Sequence, residues 1–115
     1  MSILKNEAMK TVEVNMEGAK NVIKQTAITG AEGWDGWSMR IFTLKKEGFT
    51  PFHAHDWPHI NYIISGTGTL FIDGKEQSVK AGDTAYVNGG EEHQFKNAGN
   101  DDFSFVCIVP EEGDK

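Results

Sequence analysis

The chain has 115 residues, of which 24% are charged and 38% hydrophobic, the composition of one soluble globular domain. Its net charge of −6 argues against a nucleic-acid partner and against binding to an anionic membrane surface. No apolar run is long enough to span a bilayer, and the first ten residues lack the features of a secretory signal, so we expect a cytoplasmic protein.

Glycines separate short runs of β-branched and aromatic residues along the whole chain, a pattern typical of an antiparallel all-β domain. We predict ten strands, at residues 10–15, 22–29, 37–45, 50–55, 59–65, 68–72, 75–79, 84–87, 93–97 and 103–109. Asp73–Gly74 predicts a type I′ hairpin turn, and Asn88–Gly89 predicts a second turn before His93. No stretch has a sustained helical period with caps, so we expect little helix; the acidic residues 111–115 are predicted to be a frayed terminus.

These short strands must close a barrel or stack as two sheets, because open β edges promote aggregation. Side chains along each strand of a barrel alternate between the inside and the outside. His53 and His55 define the inward phase of one strand, and His93 then predicts an inward Phe95 on another. In the last strand, the odd positions of 103–109 form the better interior set, although both faces are apolar. A strand that is apolar on both faces indicates a second partner, so we expect a homodimer.

All four histidines fall in one pattern: His53, His55 and His59 lie in HAHDWPH, and His93 lies in GGEEHQF. Two residues at i and i+2 of a strand point to the same face, whereas only a fold can bring His93 into range of the other three. Histidine is the commonest metal-binding side chain. The four histidines therefore predict a metal site.

The stretch from Gly48 to Asn97 resembles the two consecutive motifs of the cupin superfamily. The residues at the motif positions are Gly48, His53, His55, His59 and Gly66 in the first motif, and Gly82, Asn88, Gly90, His93 and Asn97 in the second. Three departures occur: the spacer before His53 is one residue short, Asn88 replaces a proline, and His59 replaces the usual metal-binding glutamate. The chain is similar to the small, single-domain, four-histidine cupins. That resemblance implies a jelly-roll barrel (a double-stranded β-helix) over residues 1–115, with residues 1–20 as an N-terminal extension that packs in a dimer.

Four neutral imidazoles would leave a divalent ion with its full formal charge of about +2, which makes it a strong Lewis acid. Replacement of the glutamate by His59 also removes a carboxylate that could take a proton beside the metal, which disfavours oxalate-type chemistry. An octahedral ion would keep positions open for a substrate or O₂, whereas a tetrahedral ion would be closed and structural. The resemblance favours an open site holding one divalent transition metal per chain, Mn or Fe, while imidazole ligands also accept Zn, Ni or Cu.

Four further residues are candidates for a substrate pocket: Arg40, Trp57, Phe105 and Cys107. An inward Arg40 could bind a substrate carboxylate, although a strand arginine more often faces solvent. Trp57 either walls the mouth of the pocket or lies in a surface turn. Cys107 either faces a substrate or is a small buried hydrophobe.

The metal site favours a small oxidoreductase of the dioxygenase type that acts on a small, oxygen-bearing organic substrate. Two alternatives stay open: a redox-neutral isomerase or lyase that polarises a carbonyl group, and a non-enzymatic cupin that binds a small molecule. The expected partners are a small-molecule substrate and a second copy of the chain, with no nucleic acid and no membrane. No catalytic residue is assigned beyond the metal ligands.

Overall fold

The computed structural model describes residues 1–114, which form an almost entirely β-stranded domain. The nine strands are β1 (Lys10–Glu13), β2 (Lys20–Thr26), β3 (Trp37–Phe49), β4 (His59–Ser65), β5 (Thr67–Ile72), β6 (Lys75–Lys80), β7 (Thr84–Val87), β8 (His93–Asn97) and β9 (Phe103–Pro110). Three short 3-10 helices, Asn6–Ala8, Gly30–Glu32 and Glu111–Asp114, are the only helical turns within these residues. None of the described helices is long and apolar enough to cross a membrane.

All strand pairings are antiparallel, and the sheet follows the order β6-β5-β8-β3-β9-β4-β7, with β2 and then β1 added beside β3. The 13-residue strand β3 links the two parts of the sheet, because it pairs with β9 along most of its length and with β8 only at Phe49. The sheet curls around its own apolar side chains, as the strands of a jelly roll do. The predicted all-β jelly-roll class is confirmed.

The interior is built from alternate residues of the strands. In β9 the odd positions Phe103, Phe105, Cys107 and Val109 are buried, and the even positions are only partly buried. Phe95 of β8 is also buried, and its ring stacks on Phe105 with the centroids 4.1 Å apart. The predicted inward phases of both strands are therefore confirmed. Val22, Leu44, Ile63 and Leu70 belong to the same buried cluster as Phe95, Phe103 and Phe105.

Of the two predicted turns, one is confirmed and one is displaced. Asp73 and Gly74 have φ angles of 48° and 83°, the left-handed values that a type I′ hairpin requires. In the second turn the amide of Glu91 donates to the carbonyl of Asn88, so the central residues are Gly89 and Gly90. The predicted Asn88–Gly89 turn is thus one residue early, because the positive φ of 85° falls on Gly90.

The predicted strand at 50–55 is wrong. Within it, only His53 forms a bridge, opposite His93. Pro51 has no amide hydrogen to give to a ladder, and the carbonyl of His55 accepts a bond from the loop residue Gly90 instead. The segment is therefore an irregular connection held to β8 by the hydrogen bonds of Thr50 and by the bridge at His53.

The predicted frayed terminus is also wrong for residues 111–114; residue 115 lies outside the described residues. Glu111–Asp114 form a 3-10 helix, and the side chain of Asp114 is only 17% exposed. Its carboxylate lies 2.9 Å from the ammonium of Lys24 and 3.3 Å from the guanidinium of Arg40. Lys24 on β2 and Arg40 on β3 hold this helix in place, and local composition does not predict the contact because both residues are far from Asp114 in the chain.

Candidate metal centre

Backbone hydrogen bonds bring the two histidine motifs together. The amide of His53 donates to the carbonyl of His93 at 3.2 Å, and the amide of His93 donates back at 2.9 Å. The amide of Gly90 donates to the carbonyl of His55 at 2.7 Å. His59 is the first residue of β4 and pairs with Val87, just before the loop that leads to His93. The loop between β7 and β8 is therefore bonded along the segment that carries the other three histidines.

Three of the four histidines form a compact cluster. The ligand nitrogens of His53, His55 and His93 all lie within 4.8 Å of one another. His59 falls outside this group of three but borders it, because its Nε2 is 3.2 Å from Nε2 of His93. The rings of His59 and His55 are also neighbours, with centroids 5.4 Å apart. The structure thus gathers three predicted ligands and places the fourth against them.

Each of three imidazole rings is fixed by a hydrogen bond at Nδ1. The acceptors are Trp57 O for His55 (2.9 Å), Glu91 O for His93 (2.9 Å) and Asn61 Oδ1 for His59 (2.6 Å). Carbonyl oxygens only accept, so Nδ1 carries the proton and Nε2 presents a lone pair. The Nε2 lone pairs of His59 and His93 then face each other at 3.2 Å, an arrangement that is repulsive without a cation. The donor set fits a metal ion, because ligating histidines usually have this tautomer and this kind of outer hydrogen bond.

Burial keeps His53, His59 and His93 in the neutral form. Burial, followed by the charges of His93 and His55, lowers the pKa of His53 to about 4. Burial is also the largest cause for His59, whose pKa is lowered to about 3 although its bond to Asn61 opposes the shift. Burial lowers the pKa of His93 as well, against the opposing effect of Glu91. Because the neutral ring is the form that coordinates a metal, the nitrogens of these three histidines are available below the ordinary imidazole pKa.

The histidines line a cavity of about 420 Å³, and all four predicted pocket residues, Arg40, Trp57, Phe105 and Cys107, lie on its lining. Arg40 faces inward rather than toward solvent, with a side chain only 11% exposed. Trp57 stacks on the ring of His55 at a centroid distance of 4.7 Å. Burial raises the pKa of Cys107, so its thiol is protonated at neutral pH and is a poor nucleophile. The roles of these residues toward a substrate remain predictions.

Three residues that the sequence did not single out also belong to the site. Asn61 is fully buried; its Oδ1 accepts from His59 and its Nδ2 donates to the carbonyl of Val106. The alternating burial of β4 places it on the inward face and could have identified it. Lys24 follows buried Val22 by two residues on β2, so the two side chains lie on the same face of the strand. Asp114 has no local signal, because its two partners are 74 and 90 residues away.

Comparison with known proteins identifies the family to which this architecture belongs. Residues 40–109 match the Cupin_2 model, described as a cupin domain. The oxalate-binding protein of Thermotoga maritima is 29% identical over 99 residues, which are 83% of this chain and 81% of that protein. Among solved structures, the polyketide cyclase RemF from Streptomyces resistomycificus has a TM-score of 0.87 at 26% identity, covering 96% of this chain and 79% of that chain. A predicted oxalate decarboxylase from Thermotoga maritima has a TM-score of 0.86 at 24% identity, covering 95% of this chain and 98% of that one. Because the family model matches more than half of its residues, the chain belongs to the Cupin_2 family of cupin domains.

Proposed function

We propose that this cupin is a metal-dependent enzyme that acts on a small, oxygen-bearing organic substrate. In this proposal His53, His55, His59 and His93 hold one divalent transition metal, Mn or Fe, while Zn, Ni or Cu also suits imidazole ligands. The observation that carries the proposal is the pair of Nε2 atoms of His59 and His93, 3.2 Å apart, with both Nδ1 atoms already hydrogen-bonded to oxygen. The bound ion would supply Lewis acidity or a redox centre at the wall of the cavity.

The protein's own contribution is to orient the ligands and to shape the cavity. Asn61 and two backbone carbonyls fix the ring orientations, so little reorganisation is needed when an ion binds. Phe95 and Phe105 line the cavity and belong to the apolar core, so they exclude water from one side of the substrate. Arg40 adds an inward positive charge, which suits a substrate with anionic or carbonyl oxygen.

We propose a dioxygenase-type oxidation as the reaction. This proposal is supported by the lack of a free general base on the cavity lining. Among residues 1–114, Asp114 is the only carboxylate side chain on the cavity lining, and it is ion-paired with two cations. The thiol of Cys107 is protonated because burial raises its pKa. Isomerisation and elimination depend on proton abstraction by a positioned base, so they are less well served by this cavity.

A redox-neutral reaction is the second candidate function. The likeness to a polyketide cyclase at 26% identity favours it, since a cyclisation can proceed without an oxidant. In that case the inward Arg40 would stabilise negative charge on a substrate oxygen. A cupin that binds a small molecule without turnover is the third possibility.

Metal analysis and oxygen uptake test these proposals. The purified chain should retain close to one equivalent of Mn or Fe per chain by plasma mass spectrometry, and a His53→Gln/His93→Gln variant should retain almost none. The loaded protein is then assayed for O₂ consumption with diketones, catechols and flavonols, and for product formation under nitrogen. O₂ uptake supports the dioxygenase, and anaerobic turnover supports the redox-neutral enzyme. Equal metal content in the two proteins would contradict the metal centre.

A further inference from the structure

The 3-10 helix Glu111–Asp114 covers part of the cavity and places a carboxylate on its lining. Gly113 and Asp114 both contribute to that lining. The helix is anchored by the amide of Glu111, which donates to the carbonyl of Gly36, and by the close approach of Gly113 to the indole of Trp57. A Cβ at Gly113 would lie 2.6 Å from Nε1 of Trp57. The helix therefore rests on the aromatic ring that also stacks on His55.

Two cations converge on a single oxygen of that carboxylate. The ammonium of Lys24 is 2.9 Å from Oδ1 of Asp114, and Nη1 of Arg40 is 3.3 Å from the same atom. Lys24 lies on β2 and Arg40 on the neighbouring strand β3. Arg40 is paired with Thr26, which is two residues from Lys24 on the same strand. Two positive charges face one negative charge, so this part of the cavity has an excess of positive charge.

Two nitrogens of the Arg40 guanidinium lack a strong hydrogen-bond acceptor in the protein. Nη2 donates to Sγ of Cys107, a weak acceptor, at 3.1 Å. Nε is buried and has no acceptor among residues 1–114. A buried charged group with unused donors costs free energy unless a ligand completes its hydrogen bonds. Nε is closed off from solvent, so the weak bond from Nη2 to sulfur is the one that an acceptor oxygen in the cavity could replace.

This cationic pair also adjoins the histidines. Arg40 lies opposite Cys107 across β3 and β9, and Cys107 lies opposite Asn61 across β9 and β4. Asn61 in turn binds His59. A carboxylate held by Lys24 and Arg40 would thus lie in the same cavity as the ligand cluster, with the aromatic side chains of the lining beside it.

We propose that Lys24 and Arg40 form a carboxylate-binding subsite and that Asp114 occupies it as an internal ligand, which the carboxylate of a substrate displaces. This inference rests on the proposed function, since it names carboxylates as the substrate class of the same site. Carboxylate is favoured over other anions because the group that fills the subsite in the structure is itself a carboxylate. A competing carboxylate can bind only while Asp114 leaves the subsite. Its apparent association constant is therefore the intrinsic one multiplied by the fraction of time for which the subsite is free.

The test uses the metal-loaded chain with phenylacetate as the probe, since the lining offers aromatic side chains for its ring and two cations for its carboxylate. Calorimetric titration compares the wild type with Asp114→Asn and Asp114→Ser, and uses phenylacetamide as the uncharged matched ligand. We expect both variants to bind phenylacetate roughly tenfold more tightly, which corresponds to about nine-tenths occupancy of the subsite by Asp114 in the wild type. Phenylacetamide should bind equally to all three proteins. Addition of Lys24→Met to Asp114→Asn should abolish the gain.

Asp102→Asn is the matched control, because it removes the exposed ion pair with Lys45 on another part of the surface. It should leave phenylacetate affinity unchanged. Equal affinity of the wild type and the two Asp114 variants would overturn the inference, as would a gain that survives Lys24→Met. Tighter binding of inorganic phosphate than of phenylacetate by Asp114→Asn would overturn the carboxylate assignment. Metal content is measured on the same samples: loss of metal from the wild type contradicts the proposed function, whereas metal-loaded proteins with equal affinities contradict only this inference.

Discussion

At the scale of single residues, the Asn61 amide ties one histidine to the framework of the barrel. Its Nδ2 donates to the carbonyl of Val106 at 3.2 Å, which leaves Oδ1 directed at Nδ1 of His59 at 2.6 Å. The orientation of the amide is therefore set by β9, and the orientation of the imidazole is set by the amide. A side chain of the same size without an acceptor would leave His59 free to rotate and to change tautomer.

We predict that Asn61→Leu weakens metal binding by about 10–100-fold, the usual effect of losing an outer partner of a ligating histidine. Chelator competition with Zn²⁺ or Mn²⁺ measures the change. Ile63→Val is the matched control, because Ile63 is the next inward residue of β4 and its truncation costs about 1 kcal/mol of stability without touching a histidine. A similar loss of metal affinity in both variants would show that general destabilisation is responsible.

The replacement of His59 by glutamate tests whether the fourth histidine is a ligand. Glutamate restores the commoner cupin ligand at this position and lowers the formal charge of the site by about one unit. We predict that His59→Glu stays folded and metal-loaded but changes its preference among Mn²⁺, Fe²⁺ and Zn²⁺ and its catalytic rate. His59→Leu should lose metal affinity. If His59→Glu and His59→Leu bind metal as the wild type does, His59 is not a ligand.

The lowered histidine pKa values make the metal-free protein sensitive to acid. His53 and His59 have pKa values near 4 and 3 in the fold and an ordinary value of 6.5 when unfolded, so the unfolded chain binds more protons between these values. The contribution to stability is complete above pH 6.5 and is lost as the pH falls toward 4. The buried His59 adds a slope of at most about 1.4 kcal/mol per pH unit in that window, and the half-buried His53 adds less because solvent screens its charge.

Urea unfolding of chelator-treated protein at several values between pH 7.5 and pH 4.5 measures this dependence. We predict that His59→Gln reduces the slope, because glutamine does not titrate. Carboxylates also contribute at the acid end of the range, and the difference between the wild type and the variant removes their contribution. Parallel pH profiles for the two proteins would contradict the prediction. The lowered pKa values also keep His53, His59 and His93 able to coordinate a metal below pH 6.5.

At the scale of elements, the loop between β7 and β8 sets the position of the segment from His53 to His59. Gly89 passes so close to this segment that a Cβ would overlap the carbonyl oxygen of Asp56. The next residue, Gly90, bonds to the carbonyl of His55. The backbone contact therefore fixes how far the residues between His55 and His59 can move from the cluster.

We predict that Gly89→Ala lowers metal affinity by about tenfold, because the displaced backbone carries the Trp57 carbonyl that holds Nδ1 of His55. Gly74→Ala serves as the control. Gly74 has a φ of 83° and no atom near its missing Cβ, so alanine there costs about 1 kcal/mol by backbone strain alone. Chelator competition should show a lower metal affinity for Gly89→Ala and an unchanged affinity for Gly74→Ala. An equal effect of the two substitutions on metal affinity would contradict this role of Gly89.

Some of these elements could be predicted from the sequence and others could not. The inward phase of β9 and the Asp73–Gly74 hairpin were predictable, because alternation and turn chemistry are local properties. The strand at 50–55 was mispredicted because its residue types suit a strand, whereas Pro51 and the loop contact at His55 prevent a ladder. The pairing of Asp114 with Lys24 and Arg40 was not predictable, since it depends on contacts between residues far apart in the chain.

At the scale of the whole molecule, the outer face formed by β4, β7 and β9 is apolar. Ile60, Tyr62 and Ile64 of β4 and Tyr86 of β7 are 44% to 57% exposed, and Ile60 lies directly opposite Tyr86 in the strand register. Partly buried Val106 and Ile108 of β9 lie beside them. Contiguous exposed apolar surface of this kind is typical of an interaction site. We propose that this face, together with residues 1–20, forms the interface of a homodimer.

Light scattering after size exclusion tests this proposal at micromolar concentration. We predict a mass of twice the 12.7 kDa of one chain for the wild type and a single-chain mass for Ile60→Lys/Tyr62→Lys. Two like charges per copy would meet across a two-fold axis in an interface that must exclude water, which opposes association. Gln77→Lys on the exposed face of β6 adds a charge away from this surface and should leave the dimer intact. A wild-type monomer would contradict the interface, and a dimer that withstands both lysines would place the interface elsewhere on the barrel.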